Sequence, residues 1–406
     1  MEREYLVYID LEGEPVLAGR LFSRVRKGRE SASFEYDNTW RNDPRAFGLD
    51  PVQLPLGAGT FHAPAQTALF NGFTDGAPDR WGRTLLRRLA RRHGVPARTL
   101  FEIDFLILVD DETRQGAYRY REASGKEFLA PHGLQRIPPL VDLPRLLGAT
   151  RRVLDNDETD DDLSLLLAPG SSLGGARPKA SVKDTDGSLL IAKFPRRDDE
   201  LPMCEWEFVA IQLAYRAGIS VGQSRLVSAG NARVFINKRF DRNGARRIPF
   251  LSALTMLGAR DNQQHSYLEI ADAIRQNGSH VRADLGQLWR RIVFNIMVAN
   301  SDDHLRNHGF LWDGEGWTLS PAYDLNPTPL DIKPRVLALA INEDDPTGSI
   351  ELALSVAEYF DLRKQQAIEI VEQISKAVAS WADLAKSTGM SAAQIDRARS
   401  AFELSG

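Results

Sequence analysis

Residues 299–325, ANSDDHLRNHGFLWDGEGWTLSPAYDL, decide how the rest of this sequence is interpreted. Just before them, residues 288–298 (LWRRIVFNIMV) carry apolar side chains at helical spacing, which predicts a buried helix. From Asn300 the apolar sequence gives way to small and charged residues, and a Gly-rich turn and a short Trp-Thr-Leu strand then precede Asp324. The sequence therefore predicts a polar loop after a buried helix, followed by a strand that leads to another carboxylate.

The order of polar residues in this stretch is typical of phosphoryl transfer. In protein kinases a catalytic-loop Asp receives the substrate hydroxyl proton, an Asn in D-x-x-x-x-N spacing binds metal, and a second metal-binding Asp follows in a DFG-type segment. Asp302, Asn307 and Asp324 have this order. The same residue types are also common in turns and caps, and short patterns recur by accident. The interpretation therefore depends on the sequence upstream.

Composition places the chain among ordinary globular proteins. Of its 406 residues, 43% are hydrophobic and 26% are charged. A net charge of −4 does not attract nucleic acid to the chain as a whole. Cys204 is the only cysteine, which excludes an internal disulfide and fits a reducing compartment. With neither a signal-peptide pattern nor a long apolar stretch, we expect a cytoplasmic protein without a membrane span.

The N-terminal region predicts a small β-rich unit. Residues 5–21 alternate apolar and polar side chains around Glu12-Gly13, as in a β-hairpin. Residues 31–40 predict another strand, and residues 54–61 form a Gly-rich connection.

Charged segments follow this region. Residues 78–93 predict a helix, which is either solvated or a docking surface for nucleic acid or an acidic partner. Residues 100–109 predict a buried helix or strand. The acidic run 155–162 (DNDETDDD) predicts a solvated, linker-like segment near a domain boundary, and it lacks the glycine that Ca²⁺ loops need. The basic face of the 78–93 helix consists of Arg80, Arg83, Arg87, Arg91 and Arg92.

A candidate phosphate loop comes next. Residues 169–182 (PGSSLGGARPKASV) are small enough for backbone amides to approach a phosphate, with Lys179 as a nearby positive charge. The segment matches neither nucleotide-loop consensus and by itself also fits a flexible loop. Residues 189–194 (LLIAKF) predict a strand, in which Lys193 needs an anionic partner.

In kinases the partners of such a lysine are the ATP phosphates and a Glu on the following helix. Residues 205–217 predict that helix, and both Glu205 and Glu207 are placed in its first turn, where the helix dipole also favours a carboxylate. Residues 232–242 predict the strand that edges the adenine, and residues 356–402 predict a helical bundle. Loop, lysine, glutamate, linker strand and catalytic loop thus follow the order of a kinase active site.

The chain also resembles the HipA family of bacterial toxin kinases, the Ser/Thr protein kinases of type II toxin–antitoxin pairs. The motifs that carry the resemblance are DPVQLPL, NGFTDGAPDRWGR, SSLGGARPKA, LLIAKFP, NKRFDR, NSDDHLRNHGF and SPAYDL. The resemblance implies a two-lobed, protein-kinase-like α/β (α+β) fold. In this fold, residues 1–150 form a small β-rich N-terminal domain and residues 151–406 the kinase-like domain. Its N-lobe spans about 165–245 and its mainly helical C-lobe about 250–406.

The resemblance implies roles for individual residues. The implied catalytic residue is Asp302 with the loop-ordering His304, and the implied Mg²⁺ ligands are Asn307 and Asp324. The implied ATP-binding residues are Leu173, Gly174, Gly175, Ala176, Lys179, Lys193, Glu207, Lys238 and Phe240. Ser172, or its neighbour Ser171, is the implied autophosphorylation site, whose modification ejects the loop and stops activity. Two departures are Arg177-Pro178 in place of the Gln-Glu of some members and Asp324-Leu325-Asn326 in place of a true DFG.

We therefore expect an ATP- and Mg²⁺-dependent serine/threonine kinase. By the resemblance, its partner is a helix-turn-helix antitoxin (HipB-like) through which alone it contacts operator DNA, and its target is a translation factor such as an aminoacyl-tRNA synthetase. One alternative is a non-catalytic, nucleotide-binding co-repressor. Another is a metal-dependent phosphohydrolase that uses Asp302, Asp303, His304 and Asp324, which leaves Lys193 unexplained.

Overall fold

The computed structural model describes residues 2–92, 100–129, 137–167, 175 and 177–405. Contacts concentrate in two compact units, Met1–Arg196 with Lys238–Leu251 and Arg197–Asn237 with Ser252–Gly406. Each unit has its own core of buried apolar side chains.

The first unit begins with a five-stranded antiparallel sheet in the order β4-β3-β2-β1-β5. Its strands are β1 (Glu2–Leu11), β2 (Glu14–Arg26), β3 (Arg29–Tyr36), β4 (Thr60–His62) and β5 (Tyr118–Glu122). Between β1 and β2, Glu12 and Gly13 both have positive φ, 60° and 85°, as a two-residue hairpin turn requires. The predicted hairpin is confirmed.

Gly19 on β2 packs tightly against β3 and the Phe34 ring. A Cβ atom there would lie 2.2 Å from the Glu35 carbonyl oxygen and 2.5 Å from the Phe34 ring, so no larger residue fits without moving β3. Phe34 is fully buried, and its ring centroid lies 5.4 Å from that of Phe73. Because Phe73 belongs to the segment NGFTDGAPDRWGR, that motif contributes to the core of the sheet.

Helices follow in the same unit. They are α1 (Asn38–Arg41), α2 (Asn71–Thr74), α3 (Arg80–Arg92), α4 (Glu102–Ile107), α5 (Leu143–Asp155) and α6 (Asp160–Leu167). The strand predicted at 31–40 is wrong at its end, because the Asp37 side chain accepts a hydrogen bond from Thr39 N at 2.8 Å and starts α1. Residues 150 and 151 lie inside α5, so the chain has no break there. The division into family domains at this point stays a prediction.

The basic helix and the acidic run neutralise each other. Arg88 lies 2.8 Å from Glu158, and Arg92 lies 3.2 Å from Asp160. The run 155–162 ends α5 and begins α6, and the Glu158 side chain is only 7% exposed. The linker-like interpretation of this run is therefore wrong. The basic face of α3 remains largely solvated, because Arg80, Arg87, Arg91 and Arg92 are exposed.

From residue 179 onward, the strands are β6 (Lys179–Lys183), β7 (Leu189–Lys193), β8 (Ser224–Ala229), β9 (Ala232–Lys238), β10 (Arg242–Asn243), β11 (Arg246–Arg247), β12 (Phe250–Ser252), β13 (Gly309–Trp312) and β14 (Trp317–Leu319). The helices are α7 (Met203–Arg216), α8 (Ala253–Met256), α9 (Tyr267–Asn277), α10 (Val281–Met297), α11 (Ile350–Ser355), α12 (Lys364–Val378), α13 (Trp381–Ser387) and α14 (Ala392–Arg397). Strands β6 and β7 pair antiparallel in the first unit, and β13 and β14 do so in the second.

Helix α10 lies at the centre of the second unit. Leu288, Trp289 and Ile292 are fully buried, and Trp289 Nε1 donates to the Ala353 carbonyl at 3.2 Å. The predicted buried helix is confirmed, although it begins earlier, at Val281. Together with the β-rich N-terminal part, the helices of this unit confirm the predicted mixed α and β fold class. Among the described residues, no helix has the length and apolar character needed to cross a membrane.

Candidate active site

The predicted catalytic loop begins where α10 ends. Ala299 has a left-handed φ of 50°, which turns the chain out of the helix. In the residues that follow, neighbouring side chains differ sharply in burial. Asp302 is exposed, whereas Asp303 is 2% exposed. The loop therefore presents one carboxylate to solvent and holds the next one in the core.

The Asn307 side chain is oriented by the backbone of the predicted catalytic residue. Its Nδ2 atom donates to the Asp302 carbonyl at 3.0 Å, and the His304 amide donates to the same oxygen at 2.9 Å. Because the nitrogen end of the amide is engaged in this way, the oxygen end remains for another ligand. An amide oxygen is a hard donor of the kind that Mg²⁺ and Ca²⁺ prefer.

Asp324 is held in an unusual backbone conformation. Its φ is 57°, in the left-handed region that few non-glycine residues adopt, and such conformations cluster at functional sites. Asn326 Nδ2 donates to the Asp324 carbonyl at 3.2 Å, and Asn326 N donates to Asn300 Oδ1 at 3.3 Å. The segment that carries Asp324 is thus tied by hydrogen bonds to the beginning of the catalytic loop.

The donor set of these two segments fits magnesium better than zinc. No group of three or more His, Cys, Asp or Glu side chains suited to a metal ion occurs in the described part of the chain. An amide oxygen from Asn307 and a carboxylate from Asp324 are oxygen ligands, and Mg²⁺ usually completes such a site with water and substrate phosphates. These two residues would hold the ion.

A buried hydrogen-bond network anchors the loop. Asp303 Oδ2 accepts from Tyr267 Oη at 2.7 Å and from Asn295 Nδ2 at 2.7 Å, and it lies 2.8 Å from His308 Nε2. Burial by itself would raise the pKa of Asp303, but His308 and the Tyr267 hydroxyl hold that pKa below its ordinary range. Asp303 is therefore held as a fixed carboxylate.

Residues that sequence reasoning missed also order the loop. His304, the predicted loop-ordering residue, is half-buried, and its backbone donates to the Asp302 carbonyl and accepts from Asn307 N. Asp303 adds contacts with His308 and with Asn295 on α10, and the role of the His304 side chain stays a prediction. The available signal was Asn295 itself, a polar residue inside the apolar sequence of α10 that needs a buried partner.

The two predicted phosphate lysines lie opposite each other on β6 and β7. Lys179 and Lys193 are direct cross-strand partners, which places like charges side by side. Lys179 Nζ lies 2.8 Å from Asp79 Oδ2, and both side chains are almost fully buried, with 3% and 2% exposure. Trp81 Nε1 also donates to the Lys179 carbonyl at 3.1 Å. In this structure Lys179 therefore has a protein carboxylate as its partner, while Lys193 is half-buried at the same end of the hairpin.

Half of the predicted phosphate loop lies outside the described residues, including Ser171, Ser172, Leu173, Gly174 and Ala176. Gly175 is described and has a φ of 105°, which only glycine adopts without strain. The role of the loop in phosphate binding and autophosphorylation stays a prediction.

The predicted adenine-edging segment alternates between buried and accessible side chains. Arg239 and Asp241 are buried, and Asp241 accepts from Arg239 Nε at 2.8 Å and from Gly116 N at 2.8 Å. Lys238 and Phe240 are only half-buried, as expected if neighbouring side chains of an extended segment point to opposite sides. Their contact with adenine stays a prediction.

Glu207 is buried on α7 at 3% exposure. Because α7 begins at Met203, Glu207 lies in its second turn, and the expectation of a first-turn position holds for Glu205 alone. Burial raises the pKa of Glu205. Lys193 and Glu207 belong to different compact units, and their pairing stays a prediction.

Comparison with known proteins agrees with the resemblance found in the sequence. A family model described as "HipA N-terminal domain" matches residues 14–110, and one described as "HipA-like C-terminal domain" matches residues 171–382. The second match alone spans slightly more than half of the chain.

Two curated relatives carry kinase names. A protein of Haemophilus influenzae named "Putative kinase" is 27% identical over 201 residues, which cover 42% of this chain and 58% of that protein. "Putative kinase Y4mE" of Sinorhizobium fredii is 23% identical over 401 residues, with 89% of each chain covered. The chain thus spans less than two thirds of the first relative and most of the second.

A solved structure shares the fold. A chain of the Shewanella oneidensis MR-1 toxin–antitoxin complex of HipA, HipB and operator DNA superposes with a TM-score of 0.70 at 16% identity, covering 98% of this chain and 96% of that chain. With two family models matched in order along the sequence, this chain belongs to the HipA family of kinase-like proteins.

Proposed function

We propose that this chain is an ATP- and Mg²⁺-dependent serine/threonine protein kinase that acts in the cytoplasm as the toxin of a toxin–antitoxin pair. The observation that carries the proposal is the loop after α10, which exposes Asp302 while Asp303 is fixed by three buried side chains. A rigidly held, exposed carboxylate suits phosphoryl transfer, in which catalysis consists mainly of positioning and charge stabilisation.

Each predicted residue has a defined task in this reaction. Asp302 orients the acceptor hydroxyl and receives its proton, and Lys193 holds the ATP phosphates. Asn307 and Asp324 hold Mg²⁺, which when bound neutralises charge on the phosphates. The bond that forms joins the hydroxyl oxygen to the γ-phosphorus. The bond that breaks joins the γ-phosphorus to the bridging oxygen, so that ADP leaves.

We propose the partner and the targets of this kinase from family membership. The structural relative forms a complex with HipB and operator DNA. For this chain we infer a helix-turn-helix antitoxin, with DNA contacted through it, because a net charge of −4 does not favour direct binding to phosphates. We place the acceptor among translation factors such as aminoacyl-tRNA synthetases, with autophosphorylation at Ser172 or Ser171.

Phosphopeptide mapping tests the proposal. The purified chain and Asp302→Asn are incubated with Mg·ATP, and both intact mass and phosphopeptides are measured. The proposal predicts phosphate on Ser172 or Ser171 of the wild type and none on the variant. ATP binding without any phosphoprotein, with or without added translation factors, would contradict it.

A second candidate is a non-catalytic, nucleotide-binding co-repressor, and one observation favours it. Lys179 is engaged by Asp79 in a buried ion pair, so one predicted phosphate ligand already has a partner. This candidate predicts ATP binding and assembly with the antitoxin but no phosphoryl transfer. A phosphohydrolase is not supported, because Asp303, one of its required ligands, is 2% exposed and committed to the core network.

A further inference from the structure

The hydrogen bonds around Asp303 continue beyond that residue to the second metal-binding segment. Asn295 donates to Asp303 through Nδ2 at 2.7 Å, and its Oδ1 accepts from Asn300 Nδ2 at 3.0 Å. Asn300 Oδ1 in turn accepts from Asn326 N at 3.3 Å. Asn326 then donates to the Asp324 carbonyl at 3.2 Å. One continuous chain of hydrogen bonds therefore connects the catalytic loop with the Asp324 segment.

Almost every member of this chain of bonds is buried. Tyr267 and Asn300 are fully buried, Asn295 is 1% exposed and Asp303 is 2% exposed. A buried polar group costs free energy unless it is hydrogen-bonded, and in a buried network the loss of one member leaves its neighbours unsatisfied. The network therefore allows few alternative arrangements.

We propose that Tyr267, Asn295, Asn300 and Asp303 are positioning residues that fix Asp302 and Asp324 relative to each other. This inference rests on the proposed kinase function. None of the four touches the reacting atoms. They act through the two loops, with Asn300 as the residue that joins them.

The requirement for such a device follows from the chemistry. Phosphoryl transfer has no covalent intermediate, so its rate depends on the geometry of the acceptor hydroxyl, the metal ligands and the γ-phosphoryl group. A displacement of about 1 Å costs on the order of a hundredfold in rate. Asp302 is exposed and Asp324 is half-buried, so both lie at the edge of the buried network. The buried network holds the backbone segments that carry Asp302 and Asp324 in fixed positions.

Three variants of the 406-residue chain test the proposal. Tyr267→Phe removes only the hydroxyl group that donates to Asp303. Asn300→Ala removes the hydrogen bonds through which Asn300 connects Asn295 with Asn326. The matched control is Tyr359→Phe in the same unit, since the Tyr359 hydroxyl also donates to a carboxylate, Asp272, at 2.7 Å but at the surface. The kcat, the KM for ATP and the Mg²⁺ concentration for half-maximal activity are measured well below each melting temperature.

A positioning role predicts a specific pattern of effects. Tyr267→Phe lowers kcat about tenfold with the KM for ATP changed less than about twofold, because binding is retained while alignment is lost. Asn300→Ala lowers kcat at least as much and also raises the Mg²⁺ requirement, because it releases the Asp324 segment. Tyr359→Phe changes none of these quantities. If kcat of both core variants stays within about twofold of the wild type, the proposal is overturned.

Failure of the proposed function is distinguishable from failure of this inference. If the wild type transfers no phosphoryl group, the kinase assignment fails, and amide hydrogen exchange of residues 299–310 and 324–328 decides the inference instead. Faster exchange of both segments in Asn300→Ala, without a change in Tyr359→Phe, supports the network. Exchange equal to that of the wild type overturns it.

Discussion

Two buried carboxylates, one in each compact unit, are held in opposite ways. Asp241 in the first unit accepts from arginine side chains, with Arg239 Nε at 2.8 Å. Asp303 in the second unit accepts from Tyr267 and Asn295, and within the described residues it forms no ion pair with Arg or Lys. Both residues are at most 2% exposed.

From this difference we infer that Asp241 stabilises the fold, whereas Asp303 positions the loop that carries Asp302. Burial alone would raise the pKa of Asp241, but Arg239 and Arg242 hold it well below its ordinary range and cancel its charge. Asp303 is held by Tyr267, Asn295 and His308, and among the described residues no arginine side chain donates a hydrogen bond to it.

The largest effect on stability is expected from Asp241→Asn. Removing one partner of a buried ion pair leaves arginines uncompensated, which costs about 3–5 kcal/mol. Asp43→Asn is the matched control, because Asp43 forms a similar two-nitrogen pair with Arg45 near the surface. Urea unfolding should show a loss of at most about 1 kcal/mol for the control. If both variants lose the same free energy of unfolding, burial does not make the Asp241 ion pair more important for stability than the surface pair.

The next largest effect is expected from Asp324→Asn. Asparagine tolerates the left-handed backbone of this position, so the fold is retained while a metal-binding charge is lost. We expect phosphoryl transfer to fall at least about a hundredfold, with partial recovery at high Mg²⁺. Asp361→Asn is the control, since Asp361 has a φ of 59° and lies at a surface turn. Activity should not change in that control.

A smaller effect on stability is expected from Asp303→Asn. One acceptor is replaced, but no arginine loses a hydrogen-bonded partner, so the unfolding free energy should fall by about 1–3 kcal/mol, less than for Asp241→Asn. Transfer activity should nevertheless fall about tenfold because the loop is released. If Asp303→Asn is as unstable as Asp241→Asn but fully active, Asp303 stabilises the fold and does not position the catalytic loop.

The smallest effect is a pH dependence that comes from Asp50. Its side chain accepts from the Val52, Gln53 and Gly72 amides, and burial raises its pKa to about 6. Because the folded pKa lies above the unfolded value, the contribution of this group is fully present below pH about 4 and is lost as the pH rises through about 6. Urea unfolding between these values should show a shallower pH dependence for Asp50→Asn than for the wild type. Equal slopes would contradict the raised pKa.

Local patterns in the sequence predicted those parts of the site that depend on neighbouring residues. Helix α10, the polar loop after it and the strand with Lys193 were each predicted from residues close in sequence. The hydrogen bond from the Asn307 side chain to the Asp302 carbonyl was not predicted from their spacing.

Contacts between distant segments could not be predicted in this way. Nothing in the neighbourhood of Lys179 indicates that Asp79 is its partner, and nothing in the acidic run indicates that Glu158 pairs with Arg88. Charge runs look solvated when their counter-charges lie far away in the sequence. The same limit hid the role of Asp303, which the local pattern could not distinguish from that of Asp302.

The central claim is that Asp302 carries out the chemistry on a loop that Asp303 holds in place. Its most direct test is the single-turnover rate of γ-phosphoryl transfer to protein by the wild type and Asp302→Asn, with the melting temperature of each. We predict that Asp302→Asn loses transfer by at least about a thousandfold while its melting temperature stays within about 2 °C, because this side chain is exposed. Transfer at the wild-type rate by the folded variant would contradict the account.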